Sequence, residues 1–295
     1  MAPSDTIEEA GGGLVRDAYD YCLKLARTHY ENFPVASFLL PADRRPALAA
    51  VYAYARLADD MADEGSLPPE ERLRRLDEWQ HQLDQALEGY PDHPVFVALA
   101  DAMARYAIPR EPFDDLLTAF RWDVTRHGYS SFDELLGYCR RSANPVGRIV
   151  LHIFGDATPQ HLIYADAICT ALQLTNFWQD ITVDLANGRR YLPLEDLQRF
   201  RYTAEDLQAR VADDRFRALL HLEIERTREL FRAGHPLVRE TVPGLRLELA
   251  LTWHGGHRVL GMIERAGSSV LTRRPYLGPH DKLSVLFRSL LPALR

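Results

Sequence analysis

The chain has 295 residues, of which 46% are hydrophobic and 26% charged, with a formal net charge of −7. This composition is ordinary for a globular protein and argues against a disordered chain, and the negative charge argues against nonspecific nucleic-acid binding. The three cysteines, Cys22, Cys139 and Cys169, show no CxxC spacing, which argues against a zinc ribbon or a disulfide framework and is typical of a reducing cytosol.

The two ends of the sequence differ in character. Residues 1–13 are acidic and polar and end in glycines, which predicts a disordered tail rather than a signal peptide. No run approaches the roughly 18 apolar residues of a membrane span. Near the other end, Leu283, Leu286, Phe287, Leu290 and Leu291 recur at helical spacing around Lys282 and Arg288. We favour a final helix packed on the core, with a helix on a bilayer surface as the alternative.

Helical periodicity dominates the sequence between these ends. Apolar residues recur at three- and four-residue steps over 18–28, 46–62, 69–87, 95–106, 111–125, 131–139, 159–185, 204–233 and 245–265. Ser131 and Glu134 have the spacing of a capping box, and no Asn-Gly or Asp-Gly hairpin lies between alternating runs. The sequence therefore predicts an all-α protein of about ten helices, with one domain over residues 14–295.

An acidic cluster lies near the end of the second predicted helix. Arg56, Asp59, Asp60 and Asp63 are three and four residues apart and share a face, with Tyr52 one turn earlier. Carboxylates on one face repel each other, and a hard divalent cation such as Mg²⁺ neutralises them through oxygen ligands. The alternative is an acidic turn exposed to solvent.

A second polar stripe runs along the predicted helix at 159–185. Gln173, Asn176, Asp180 and Asp184 fall at i, i+3, i+7 and i+11 among apolar neighbours. Such a stripe also occurs where polar residues simply face solvent. If it faces the first acidic cluster, however, the two walls would bind Mg²⁺ ions around a diphosphate group.

Basic residues follow this stripe. Arg189 and Arg190 stand before Tyr191, and Arg273 precedes Arg274; arginine binds phosphate oxygens through a planar fork, but cations are also common at helix ends. His254 and His257 form an i,i+3 pair that we interpret as ordinary polar or capping histidines, because no further ligand has a recognisable zinc spacing.

Taken together, these motifs resemble the squalene/phytoene synthase family. Residues 29–41 resemble its first diphosphate-binding segment, Arg56-x-x-Asp59-Asp60-x-x-Asp63 its first aspartate-rich motif, Tyr138-Cys139 with Val146-Gly147 its central segment, and Gln173 to Pro193 its second motif. Two positions depart from the usual pattern: Gln179 stands where an arginine is expected, and the central segment reads Ser142-Ala143-Asn144-Pro145. These departures, with Asn32 to Val35, resemble a bacterial branch, the hydroxysqualene synthases of hopanoid biosynthesis.

The resemblance implies an isoprenoid-synthase helical bundle around a central apolar cavity. It also implies that presqualene diphosphate and water are converted to hydroxysqualene and diphosphate, with Mg²⁺ as the cofactor. The implied Mg²⁺ ligands are Asp59, Asp60, Asp63, Asn176, Asp180 and Asp184. The implied substrate contacts are His29, Asn32, Tyr52, Arg56, Arg189, Tyr191 and Arg274. Tyr138 would stabilise the carbocation, and Asn144, Gln173 or Gln179 would position the water.

The same resemblance leaves rival functions open. The nearest rivals are phytoene, dehydrosqualene and squalene synthases, which condense two prenyl diphosphates, and a non-catalytic helical assembly factor is the rival from another class. We expect a cytoplasmic protein, peripheral to the membrane if the apolar substrate draws it there. The expected partners are an enzyme that supplies presqualene diphosphate and the membrane surface, and no nucleic acid is expected.

Overall fold

The computed structural model describes residues 4–28, 40–63, 67–278, 281–282, 284–286 and 288–289. Within these residues it contains fourteen α-helices, one 3₁₀ helix and no strand, which confirms the predicted all-α class. The α-helices are α1 Ser4–Thr28, α2 Arg45–Asp63, α3 Pro69–Leu87, α4 Pro94–Tyr106, α5 Glu111–Thr125, α6 Phe132–Ser142, α7 Asn144–Ile153, α8 Pro159–Gln179, α9 Ile181–Ala186, α10 Leu194–Arg199, α11 Ala204–Gln208, α12 Asp214–Gly234, α13 Pro236–Glu240 and α14 Pro243–Ala266. The 3₁₀ helix is Gly267–Leu271.

Some predictions fall outside the described residues. These are the site residues His29 and Asn32 and, at the C-terminal end, Leu283, Phe287, Leu290 and Leu291. Helix α1 begins at Ser4, inside the segment 1–13 predicted as a tail. None of the helices in the described part of the chain is long and apolar enough to cross a membrane.

Two long predicted helices are each divided. The predicted helix 159–185 is interrupted at Asp180, whose φ of −104° and ψ of 14° lie outside the helical region. The prediction of one helix over 204–233 is wrong, because the chain leaves the helix between α11 and α12. Arg210 has a left-handed φ of 57° there, and the Asp213 side chain accepts a hydrogen bond from the Phe216 amide to start α12. The periodicity also missed α7, α10 and α13.

Residue contacts divide the chain into two compact units. The first comprises Met1–Thr125 and Ile149–Ala157, and the second comprises Arg126–Arg148 and Thr158–Arg295. In the first unit, the buried face of α2 consists largely of alanines, and α1 and α4 pack against it. Small side chains allow this close approach. The core beside them is aromatic: Tyr54 meets the ring of Phe113 edge-on with centroids 5.4 Å apart, and Trp79 lies 4.5 Å from Phe96.

In the second unit, α8 packs along α12 and against α14. Trp178 of α8 is fully buried, and its indole nitrogen donates a 2.9 Å hydrogen bond to the Thr227 hydroxyl of α12. At the end of α12, Gly234 lies against α8, where a Cβ atom would stand 2.8 Å from the Tyr164 carbonyl oxygen and 2.5 Å from Ile168 Cγ1. The absence of a side chain at Gly234 therefore allows α12 to approach α8, the helix on which the polar stripe begins.

Replacing Gly234 with alanine should lower the free energy of unfolding by about 2 kcal/mol, because the new methyl group meets backbone that cannot rotate away. Denaturant unfolding measures this change. Gly255→Ala in α14 is the matched control, since a Cβ atom there meets nothing within 4 Å, and we expect it to be neutral or stabilising by up to about 1 kcal/mol. Equal effects of the two substitutions would contradict the proposed close contact.

Candidate active site

In the first unit, the charged side chains of the predicted acidic face of α2 lie close to one another. The Arg56 guanidinium lies 2.6 Å from an Asp60 oxygen and 3.7 Å from an Asp59 oxygen, and Asp63 is exposed at the end of the helix. The side chains of Asp59 and Asp60 are 42% and 39% exposed, so both remain accessible to a ligand.

Tyr52 lies one turn before these charges and is half-buried. Burial raises the pKa of its hydroxyl, Arg56 opposes that shift, and Asp60 and Asp59 add to it. The phenol therefore stays protonated at neutral pH and can donate a hydrogen bond to an oxyanion.

In the second unit, the predicted polar stripe crosses the junction of α8 and α9 without losing its spacing. The Asp180 amide donates to the Asn176 carbonyl at 2.9 Å, and the Asp184 amide donates to the Asp180 carbonyl at 2.9 Å. The four-residue hydrogen-bond step thus continues through the break. Asn176 is exposed, whereas Gln173, Asp180 and Asp184 are half-buried.

Asp180 forms an ion pair with Arg274, ninety-four positions further along the chain. Arg274 Nε and Nη2 bind the two carboxylate oxygens of Asp180, the second at 3.0 Å. This is the bidentate geometry that matches a guanidinium to a carboxylate. The pair places a cation at the stripe, as expected for a site that binds a phosphate group.

Asp184 is the most perturbed carboxylate of the stripe. Burial, followed by the nearby charge of Asp180, raises its pKa to about 7, while Arg189 and Arg274 act in the opposite direction. Two carboxylates in one half-buried place are costly to ionise together, and a bound cation relieves that cost.

The two consecutive arginines after α9 have different positions. Arg189 lies close enough to Asp184 to lower its pKa, which places the guanidinium beside the stripe. Arg190 instead donates to the carbonyls of Tyr129 and Leu192, and its amide donates to the His127 carbonyl. Arg190 is therefore a structural residue of this loop.

Two of the three predicted water-positioning amides are anchored. Asn144 is buried, and its Oδ1 accepts a 2.9 Å hydrogen bond from the Thr170 hydroxyl. Gln179 is also buried, and its Nε2 donates to the Pro275 carbonyl at 2.5 Å. The Nδ2 atom of Asn144 thus remains as a donor, and the Oε1 atom of Gln179 remains as an acceptor. The third amide, Gln173, is half-buried.

Tyr138 and Tyr191 belong to an aromatic cluster beside the stripe, since Phe177 and Tyr191 line a small pocket together with Asp184 and Arg189. Phe177 of α8 stacks on Tyr191 with ring centroids 3.7 Å apart, and Tyr138 lies 6.1 Å from each of these rings. Tyr129 completes the cluster, 5.5 Å from Tyr138. The sequence analysis missed Tyr129 and Phe177, because an aromatic residue at a core-like position carries no local signal of function.

Among the described residues, one group of three His, Cys, Asp or Glu side chains lies within metal-binding distance: His221, Glu225 and Glu264. Arg228 pairs with both of these glutamates, with one contact to Glu264 at 2.7 Å, and so already offsets part of their negative charge. The predicted histidine pair His254 and His257 is not part of this group. It lies inside α14, so the capping interpretation was wrong for both residues.

Comparison with known proteins gives consistent matches. The sequence profile of the squalene/phytoene synthase family matches residues 26–281. A phytoene synthase of Arthrospira platensis is 32% identical over 283 residues, covering 92% of this chain and 91% of its own. A phytoene synthase of Mycobacterium tuberculosis is 37% identical over 227 residues, covering 76% and 74%.

Solved structures match over most of the chain. The crystal structure of squalene synthase HpnC from Alicyclobacillus acidocaldarius is 41% identical with a TM-score of 0.82, and the match covers 86% of this chain and 95% of that chain. A dehydrosqualene synthase in complex with ligand gives a TM-score of 0.83 at 24% identity, over 94% and 96% of the two chains, and shares the fold.

Proposed function

Because the chain belongs to the squalene/phytoene synthase family, we propose that it converts presqualene diphosphate and water to hydroxysqualene and diphosphate in a Mg²⁺-dependent reaction. The observation that carries this proposal is the Asp180–Asp184 stripe, which has Arg274, Arg189 and a buried aromatic cluster beside it. The 41% identity to the Alicyclobacillus squalene synthase HpnC supports a squalene-related reaction. Gln179, in place of the expected arginine, favours the hydroxysqualene branch.

The residues present fit a magnesium-diphosphate ligand. The donor atoms are carboxylate and amide oxygens, which Mg²⁺ prefers, and the raised pKa of Asp184 indicates a carboxylate that a cation would stabilise. The proposed ligands are Asp59, Asp60, Asp63, Asn176, Asp180 and Asp184. When bound, Mg²⁺ neutralises the charge that develops on the departing diphosphate.

In this proposal, arginine side chains bind the leaving group. Arg274 and Arg189 of the second unit present guanidinium groups that suit phosphate oxygens. Arg56 of the first unit is a donor of the same kind, and the Tyr52 hydroxyl is a neutral donor. His29 and Asn32 complete this set in the proposal. These donors stabilise the negative charge that forms on the diphosphate as the carbon–oxygen bond breaks. The diphosphate therefore stays bound to the protein, away from solvent, as it separates from the carbocation.

The aromatic cluster would stabilise the carbocation. Tyr138, Tyr191 and Phe177 are buried, and an aromatic face attracts a cation more strongly where water is excluded. Their packing also shields the cation from bulk solvent, so that capture by one positioned water competes with loss of a proton.

Gln179 is our choice among the three amides for positioning that water. Its Nε2 is anchored on Pro275, so its carbonyl oxygen is the atom left to accept a hydrogen bond from water. The anchored oxygen of Asn144 leaves that side chain a donor. Gln179→Met should lower the hydroxysqualene share of the products and increase products formed by proton loss, as measured by chromatography and mass spectrometry. Gln198→Met, at an exposed position of α10, is the control, and identical product ratios in both variants would exclude this role.

Incubation of the purified protein with Mg²⁺ and one substrate at a time tests the overall function. We expect hydroxysqualene from presqualene diphosphate and no presqualene diphosphate from farnesyl diphosphate. Formation of presqualene diphosphate from farnesyl diphosphate would contradict the proposal. The relatives at 32% and 37% identity make phytoene synthase the second candidate, and formation of phytoene from geranylgeranyl diphosphate would establish it.

A further inference from the structure

The second unit contains a cavity of about 430 Å³ between α12, α14 and the residues Ser284, Val285 and Arg288. Its volume lies within the usual range for small-molecule sites. None of the proposed metal ligands, diphosphate-binding residues or aromatic residues lines it. The cavity is therefore separate from the proposed chemistry. We call it the His-Arg cavity, after the histidines and arginines that form most of its polar lining.

The charges around the His-Arg cavity favour an anion. Four arginines line it against one carboxylate, that of Glu264. Arg228 pairs with Glu264 at 2.7 Å, and Arg258 pairs with Asp281 at 2.6 Å. In the part of the chain that the structure describes, Arg265 and Arg288 have no ion-pair partner within 4 Å, although Asp281 is near enough to interact with the charge of Arg265. Because Glu225 also pairs with Arg228, four arginines stand against three carboxylates, and the cavity keeps a small excess of positive charge.

Histidines and one tryptophan supply the rest of the polar wall. His257 stacks on Trp253 with ring centroids 5.0 Å apart, and His235 lies 4.6 Å from the same ring. The Nε2 atom of His254 is buried and has no hydrogen-bond partner among the described residues.

We propose that the His-Arg cavity binds a phosphate-bearing small molecule, held by Arg265, Arg288 and His254 with its apolar or planar part against Trp253. Guanidinium and imidazole N–H groups are donors that suit phosphate oxygens. The two glutamates beside the cavity, Glu225 and Glu264, already pair with Arg228, so the proposal places no Mg²⁺ in this site. The phosphate is carried either by a soluble molecule or by a phospholipid headgroup.

Binding of inorganic pyrophosphate in the presence of EDTA, measured by isothermal titration calorimetry, tests the proposal. We expect Arg288→Gln and His254→Gln each to weaken binding at least tenfold. Arg217→Gln should change nothing, because Arg217 is an exposed arginine at the other end of α12. Arg265→Gln is the substitute if Arg288→Gln does not fold, as judged by circular dichroism.

Two results would contradict the proposed phosphate site. Absence of binding up to millimolar pyrophosphate in EDTA would overturn the proposal. It would also be overturned if binding survived Arg288→Gln and His254→Gln but was lost in Arg274→Gln, because the anion would then occupy the proposed active site. Flotation with vesicles of phosphatidylcholine containing phosphatidylglycerol separates the two sources. Retention that depends on Arg288 indicates a lipid headgroup, whereas pyrophosphate binding without retention indicates a soluble ligand.

Sulfate provides a second test, since its charge is constant between about pH 5.5 and 8. Burial first, and then nearby cations, lower the pKa of His254 and His257, and a bound anion would raise them again. Sulfate should therefore bind more tightly as the pH falls from 8 to 6. The charged and titratable groups facing these histidines are Arg228, Arg232, His235, Arg258, Glu264, Arg265, Asp281 and Arg288. A pH-independent affinity would contradict a role for the imidazoles.

Discussion

Replacing Asp180 with asparagine should lower kcat for presqualene diphosphate by about 100- to 1,000-fold, the usual cost of removing one preorganised electrostatic contact. Asparagine keeps the shape and one oxygen of the side chain but removes the negative charge. The Asp180 side chain is 25% exposed and can still accept a hydrogen bond from Arg274, so the fold should be retained. The reaction loses one proposed Mg²⁺ ligand, and the Mg²⁺ concentration needed for half-maximal rate should rise.

The control makes the same chemical change in an ordinary surface ion pair. Asp214 of α12 pairs with Arg217 and is 94% exposed, so Asp214→Asn should leave kcat and the Mg²⁺ dependence unchanged. Steady-state rates over a Mg²⁺ series, with circular dichroism as the check on folding, give the comparison. An Asp180→Asn enzyme with wild-type kcat and wild-type Mg²⁺ dependence would remove the stripe from the mechanism.

Local sequence features predicted much of the helical framework. Half of the predicted capping box exists: the Ser131 hydroxyl accepts from the Glu134 amide at 3.2 Å, but the Glu134 carboxylate accepts from the Ser130 amide rather than from that of Ser131. Helix α8 begins at the expected Pro159. The interruption at Asp180 could not be predicted, because the hydrogen bonds to Asn176 and from Asp184 keep the spacing of a continuous helix. A hydrophobic pattern indicates which face of a helix is buried, and the break at Asp180 leaves that face the same on both sides.

The same contrast applies to the candidate site. The Arg56–Asp60 contact follows from helical spacing alone. The Asp180–Arg274 pair joins distant positions, and Arg274 was identified as a site residue by resemblance rather than by pattern. The stack of Phe177 on Tyr191 likewise depends on how the loop after α9 folds back, which is fixed partly by the backbone contacts of Arg190. Such long-range contacts have no periodic signature.

Replacing Arg226 with methionine should lower the free energy of unfolding by about 3–5 kcal/mol, the largest stability effect that we expect in this chain. Arg226 lies 2.6 Å from an Asp196 oxygen and 3.5 Å from a Glu223 oxygen, and both carboxyl groups are almost completely buried. Methionine would leave them without a positive charge. Denaturant unfolding at pH 7 measures the loss, and Arg217→Met, on the exposed surface of the same helix, should change stability by less than about 0.5 kcal/mol.

The pH dependence of stability distinguishes the roles of the two carboxyl groups. Burial, followed by the charge of Asp196, raises the pKa of Glu223 to about 8, above its value near 4.5 in the unfolded chain. The unfolded state therefore loses the proton first, and the wild-type protein loses stability as the pH rises from about 5 to 8, at up to about 1.4 kcal/mol per pH unit. Glu223→Gln has no such proton to lose, so its unfolding free energy should be flatter over this range and should exceed that of the wild type at pH 8. Two results would contradict this account: the same pH profile of unfolding free energy in the wild type and in Glu223→Gln, or an Arg226→Met protein as stable as Arg217→Met. Either result would show that Arg226 does not stabilise two buried carboxyl groups that share a proton.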